Sequence, residues 1–236
     1  MRKALALFMS VVMTLSLLVS SAWADPPATK DLDGKTVILH TNDVHGAIDK
    51  YEKVAALKAD YEARGASVFL VDAGDYSQGS VYVSVNKGAD AVTMMNATGY
   101  DVATIGNHEF DYGYAQLAEN MKAAKFKALC ADVLGADGKT IFDDHVVKKV
   151  GDIKIGFFGL ETPEAQTKAN PALIQGLQFL AGDKMYKAAQ DQVDALRAEG
   201  ADIVICLAHL GVDSSSEPNT SYDLSLIHIS EPTRRV

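Results

Sequence analysis

Four short stretches of this chain collect oxygen and nitrogen donors of the kind that hold divalent cations. They are Thr41-Asn42-Asp43-Val44-His45-Gly46, Asp72-Ala73-Gly74-Asp75, Gly106-Asn107-His108-Glu109-Phe110-Asp111 and Ala208-His209-Leu210-Gly211. Carboxylate, carboxamide and imidazole with no thiolate suit Mn, Fe, Zn or Co better than a structural Cys-rich zinc site. Asp43 and Asp75 are 32 residues apart, and so are Asp75 and Asn107. That is the length of one strand, one helix and the next strand. Three successive βα units would therefore deliver donors to one edge, and the carboxyl edge of a parallel sheet is where α/β proteins place ligands. The fourth stretch follows the apolar run Ile203-Val204-Ile205-Cys206-Leu207, so it also ends a strand.

Each stretch alone has a plainer reading. Asp and Asn after a strand form turns and cap helices, and a single His beside a strand is usually a satisfied polar group. The common order and spacing are what join them into one site. No Gly-x-x-x-x-Gly-Lys loop is present, which argues against ATP-driven work. The glycines of Gly74-Asp75-Tyr76-Ser77-Gln78-Gly79 let the backbone turn closely around Asp75.

The positioning elements follow from periodicity. Thr36 to His40 reads as a strand, and Tyr51 to Arg64 as a helix stopped by Gly65. Val68 to Val71 is a second strand, Ala89 to Ala97 a helix, Val102 to Ile105 a third strand, and Ala115 to Ala124 a helix leading into Ala128-Leu129-Cys130. From His145 to Leu160 the pattern alternates around a Gly151-Asp152 turn, as in a hairpin, and a helix around Tyr186 to Arg197 precedes the His209 strand. This pattern predicts two packed mixed sheets flanked by helices. Periodicity by itself establishes only an α/β class.

Asp43-x-His45, Gly74-Asp75, Gly106-Asn107-His108-Glu109 and His209 resemble the ordered blocks of the calcineurin-like metallophosphoesterases. Asn42, the Phe110-Asp111 extension and Gly159-Leu160-Glu161-Thr162-Pro163-Glu164 are similar to the exported 5'-nucleotidase branch, and the resemblance covers about residues 36–223. It implies a four-layer α/β/β/α sandwich, C-terminally truncated, with two divalent ions drawn from Mn, Zn, Fe, Co or Mg. In that scheme Asp43 and His45 hold one metal, Asn107 and His209 hold the other, and Asp75 bridges both. A carboxylate suits a bridge because its two oxygens can bind cations roughly 3.5–4 Å apart, and the pKa of a water held there falls from about 15.7 toward about 7. The resemblance also places His108 against the phosphate, with Asp111 orienting its ring. There it stabilises phosphoryl charge or protonates the leaving alkoxide, and its plainer reading is a turn His that caps a helix.

The chain ends carry their own signals. Arg2 and Lys3, the apolar run Ala4 to Val19 and the small-x-small site Ala22-Trp23-Ala24 describe a secretory signal over residues 1–24, removed before Asp25. The run is shorter than the roughly 20 residues of a spanning helix, so no stable membrane span is expected after cleavage. Residues 25–35, with Pro26-Pro27, read as an exposed lead-in. Residues 36–223 are the partial phosphoesterase domain. Leu224 to Arg234 resembles the in-frame translation of a transposon-end sequencing adapter over eleven residues, so residues 224–236 read as adapter read-through and His228 is not counted as a ligand. The family adds one further ligand per metal from a later His-x-His or His-x-Gln motif, and nothing between Gly211 and Asp223 matches it. The chain as written is accordingly expected to fold poorly or bind metal weakly and to have negligible activity.

Composition fits an ordinary α/β protein, with 48% hydrophobic and 22% charged residues. The formal charge is −9, and removal of Arg2 and Lys3 leaves −11. That balance argues against nucleic acid as principal partner and assigns the positive field for a phosphate to bound cations. Cys130 and Cys206 each lie in an apolar strand-like run and read as buried thiols rather than a disulfide.

The resemblance makes the leading expectation an exported, metal-dependent hydrolase of nucleoside monophosphates or another small phosphoester. Further candidate substrates are 2',3'-cyclic nucleotides and nucleotide sugars. Two other readings stay open: a related hydrolase of another phospho- or sulfur ester, and an inactive surface binding protein.

Overall fold

The computed structural model describes residues 30–211. The signal segment, residues 25–29 and the tail that contains His228 lie outside them. The first half runs β1 (Thr36–Thr41), α1 (Tyr51–Ala63), β2 (Ser67–Asp72), the short α2 (Val81–Ser84), α3 (Ala89–Thr98), β3 (Val102–Thr104), α4 (Tyr114–Ala123) and β4 (Lys127–Leu129). The four strands form one sheet in the order β1-β2-β3-β4, and every neighbouring pair is parallel. The even ligand spacing becomes register: Thr41 lies opposite Asp72 and Asp72 opposite Ala103, so the strands end together.

The second half adds β5 (Val133–Leu134), β6 (His145–Val150), β7 (Ile153–Glu161), α5 (Ala165–Lys168), β8 (Gln178–Phe179), α6 (Asp183–Ala198) and β9 (Ile203–His209). β6 and β7 form the antiparallel hairpin, β9 runs parallel to β7, and β5 pairs with β8 in a small separate sheet. The expectation of two mixed sheets is thus corrected. Among the described residues the first sheet is wholly parallel, because helices make its crossovers, and only the second, in the order β6-β7-β9, is mixed.

Strand alternation builds the layers. Leu70 of β2 faces Tyr51, Val92 and Met95 of the helices. Its neighbours Phe69 and Val71 face the other way and meet Ile155, Phe157 and Leu207 between the sheets. Phe158 and Leu160 of β7 point outward against Met185 and Leu196 of α6. The result is helix, sheet, sheet, helix. The sheets come very close at Gly159, where a Cβ would stand 2.4 Å from the Leu129 carbonyl oxygen and 2.5 Å from Thr104 Oγ1. Gly159→Ala is expected to destabilise the fold by about 1–3 kcal/mol, the usual cost of overpacking. Denaturant unfolding would show this, and an unchanged midpoint would mean that the sheets part freely.

His145 fastens β6 to α6. Its Nδ1 lies 2.7 Å from Gln192 Oε1 and 3.0 Å from Asp144 Oδ1, and its Nε2 lies 3.0 Å from Glu199 Oε1. Carboxylates at both ring nitrogens call for two N–H donors, hence an imidazolium. Burial pulls its pKa down, but Glu199, Gln192 and Asp144 outweigh it and hold the ring above its ordinary value of 6.5. The folded value exceeds the unfolded one, so the stabilisation is fully present below about 6.5 and is lost as pH rises through the folded pKa. His145→Gln is expected to flatten the decline in unfolding free energy across that window. A variant with the same pH slope as the parent would show that the clamp contributes nothing.

Candidate metal centre and active site

The loops after β1, β2 and β3 meet the end of β9 at the carboxyl edge. The Asp43 N–H donates to the Gly74 carbonyl at 3.0 Å, and the His45 N–H donates to the Asp75 carbonyl at 3.0 Å. Asp43, His45 and Asp75 have φ of 51°, 47° and 64°, and among the described non-glycine residues only Lys87 shares that left-handed conformation. Such residues cost on the order of 1–3 kcal/mol each and cluster at functional sites. At residue 106 glycine is required by a close approach, since a Cβ there would lie 2.3 Å from Asp75 Oδ1.

The donors converge in two groups, His45 with Asp75 and His108, and Asp43 with Asp75 and His209. Within each, the donor atoms lie no more than 4.8 Å apart. Asp75, 3% exposed, belongs to both. Its Oδ2 is 3.2 Å from His209 Nε2 and 3.7 Å from His45 Nε2, and its Oδ1 accepts the His108 N–H at 2.9 Å. Burial pushes the Asp75 carboxyl up, but the hydrogen bond and charge of His209 outweigh it and hold it below the ordinary value. His209 is the reciprocal case: burial opposes its charge, and Asp75 raises it to about 9. Its Nδ1 lies 2.9 Å from the Ala73 carbonyl, which makes Nδ1 the donor and leaves Nε2 for Asp75 or a cation.

His108 Nδ1 lies 2.7 Å from Asp111 Oδ2, and the His108 ring meets that of His45 edge-on at 5.1 Å. The sequence-based expectation kept His108 off the metals, yet its ring also lies within reach of the His45–Asp75 group. Asn107 is buried at the head of the 3₁₀ turn Asn107–Phe110 on the same edge.

Two buried carboxylates that the sequence reading left without a role join the loops. Asp72 accepts the Thr41 hydroxyl at 2.5 Å and the Gly74 N–H at 2.8 Å, tying the first stretch to the second. Burial, opposed by those bonds, raises its pKa to about 8. Glu109 ties the second to the third. Its Oε2 accepts the N–H groups of Asp75 (2.8 Å) and Gly106 (2.7 Å). Its Oε1 accepts the N–H groups of Tyr76 and Ser77 and the Ser77 hydroxyl, each at 2.9 Å. The available signal was the spacing of Glu109 three residues after Gly106, that of a capping box. Glu161, opposite His209 in register, is also buried, and neither of its carboxylate oxygens has a hydrogen-bond partner among the described residues. Both cysteines are free thiols.

Asp72, Asp75, Glu109, Asp132 and Glu161 are all buried, whereas no Lys or Arg is buried among the described residues. Burial raises the pKa of all of these but Asp75, driving them toward their neutral forms unless positive charge is brought to them. A donor set of carboxylate and imidazole that shares one carboxylate fits divalent cations.

The family model for the bacterial capsule synthesis protein PGA_cap matches residues 56–228. Over 222 residues the chain is 32% identical to the 5'-nucleotidase of Vibrio cholerae, an alignment that covers 87% of this chain and 40% of that protein. The chain thus spans less than half the length of that relative. The calcineurin-like phosphoesterase YfkN from Bacillus subtilis aligns in three dimensions with a TM-score of 0.69 at 25% identity, covering 84% of this chain and 68% of that one. The 5'-nucleotidase precursor of Thermus thermophilus aligns with a TM-score of 0.64 at 30% identity, covering 74% and 37%. A chain that matches the family model over this stretch and shares these folds belongs to the PGA_cap family of calcineurin-like phosphoesterases and is a homologue of the 5'-nucleotidases.

Proposed function

We propose that the protein is an exported, metal-dependent phosphoesterase that hydrolyses nucleotides, with nucleoside monophosphates as the leading substrates. The observation that carries this reading is the membership of Asp75 in both donor groups, beside a His108 already oriented by Asp111. By the assignment the family resemblance implies, Asp43, His45 and Asp75 would hold one divalent cation, and Asp75, Asn107 and His209 the other; the donor groups here differ in setting His108 beside His45 and Asp43 beside His209, although His45 Nε2 also lies 3.5 Å from Asp43 Oδ1. When bound, such a pair supplies Lewis acidity toward phosphoryl oxygens and lowers the pKa of water to near neutrality.

The remaining roles belong to the chain. The Ala73 carbonyl and Asp75 set the tautomer and direction of His209. Asp111 engages His108 Nδ1, so Nε2 is the nitrogen left to face a phosphoryl oxygen or the leaving alkoxide. Nucleotides as substrates are supported by the 5'-nucleotidase relatives. Export is supported by Arg2, Lys3, the apolar run and Ala22-Trp23-Ala24. No helix among the described residues is long and apolar enough to cross a membrane.

The test is metal analysis of the full-length protein followed by assays on AMP, bis-p-nitrophenyl phosphate and a thiosulfonate ester. Two bound ions with phosphate release from AMP support the reading. Cleavage of the thiosulfonate alone would transfer the fold to sulfur-ester chemistry, and absence of bound metal with no turnover would make the protein a binder.

A further inference from the structure

We propose that Glu109 is the positioning residue of this centre, holding the backbone from which Asp75 serves both donor groups. The inference rests on the metal-centre reading above and adds a residue outside both donor groups. A capping-box glutamate needs only the Gly106 N–H. Here four more donors converge on the same carboxylate from residues 75–77, on a loop 32 to 34 positions earlier in the chain. A left-handed residue followed by successive N–H groups aimed at one anion is a backbone nest, and in this protein the nest around Asp75 is filled by the chain's own carboxylate.

The consequence is a closed ring. The Asp75 N–H donates to Glu109, and the His108 N–H, from the same turn as Glu109, donates to Asp75 Oδ1. Asp75 and His108 are therefore held against each other from both sides. Without Glu109 the buried amides of residues 75–77 lose their acceptor, and the left-handed Asp75 keeps only the His45 N–H on its carbonyl and the His108 N–H on its side chain. Both Asp75 oxygens would then swing together, and both cations would feel it.

Glu109→Gln keeps the shape but turns an NH₂ group toward either the Asp75 and Gly106 amides or those of Tyr76 and Ser77. Ser77→Ala, a milder companion, deletes one donor. The measurements are Mn²⁺ titration calorimetry, amide hydrogen exchange at residues 75–77, the visible spectrum of the Co²⁺ form, and unfolding without metal. For Glu109→Gln we expect two ions still bound, each roughly 10–100-fold more weakly, as for loss of a carboxylate behind the ligands. Faster exchange at 75–77 and an altered Co²⁺ spectrum should accompany it. For Ser77→Ala we expect a smaller weakening at an unchanged unfolding midpoint. A Glu109→Gln protein with wild-type affinities and only a lower midpoint would reduce Glu109 to a cap, and selective loss of one ion would make it a ligand. If Glu109→Gln does not fold, wild-type affinities in Ser77→Ala overturn the inference. All these measurements are made in the full-length protein, and wild type that takes up fewer than two ions overturns the metal-centre reading instead.

Discussion

In the full-length protein, Asp75→Asn is expected to remove metal-dependent hydrolysis almost completely, by roughly three orders of magnitude or more, as the loss of several kcal/mol of charge stabilisation requires. The carboxylate is buried, stands in both donor groups and faces His45 and His209 through one oxygen. Asparagine keeps its size and offers one neutral oxygen where two charged ones stood, so both cations weaken together. The measurement is metal content by elemental analysis alongside turnover of AMP. Two tightly held ions with normal turnover in this variant would refute the bridging assignment.

The second large effect is expected at His108. His108→Ala should lower kcat by roughly 10²–10⁴-fold, the range for a positioned proton donor, with metal content intact. Asp111 holds one ring nitrogen and leaves the other for substrate, which is the arrangement of a general acid. The ring's nearness to His45 and Asp75 makes metal content the deciding observable. Should the variant lose an ion, His108 is a ligand and its catalytic assignment is wrong.

The three βα units were legible in the chain because a helix and a strand together have a characteristic length, and a repeat of 32 residues becomes register once the strands are parallel. That the stretches holding Asp43, His45, Asp75, Asn107, His108 and Asp111 would share one edge followed from the same repeat, and His209 was placed there by the apolar strand before it. Asp72 and Glu109 were harder to assign. A buried carboxylate bonded to backbone amides looks in sequence like any turn residue, and the partners that tie these two across loops, the Thr41 hydroxyl for Asp72 and the amides of residues 75–77 for Glu109, lie more than thirty positions away. Glu161 lay in a segment that carried the family resemblance, but at the end of an apolar strand nothing marked it as a buried carboxylate. The β5–β8 pair also had none, because two-residue strands are too short to show a period.

The left-handed backbone at Asp43, His45 and Asp75 sets this edge of the molecule against the rest. Those conformations are ones that glycine would adopt without penalty and that aspartate and asparagine tolerate better than most side chains. A glycine at any of the three would ease the backbone while deleting a donor, so variants recovered by screening for heat resistance alone would drift toward losing the chemistry. Retention of all three residues in a thermally selected population would report that hydrolysis was still being demanded of the protein.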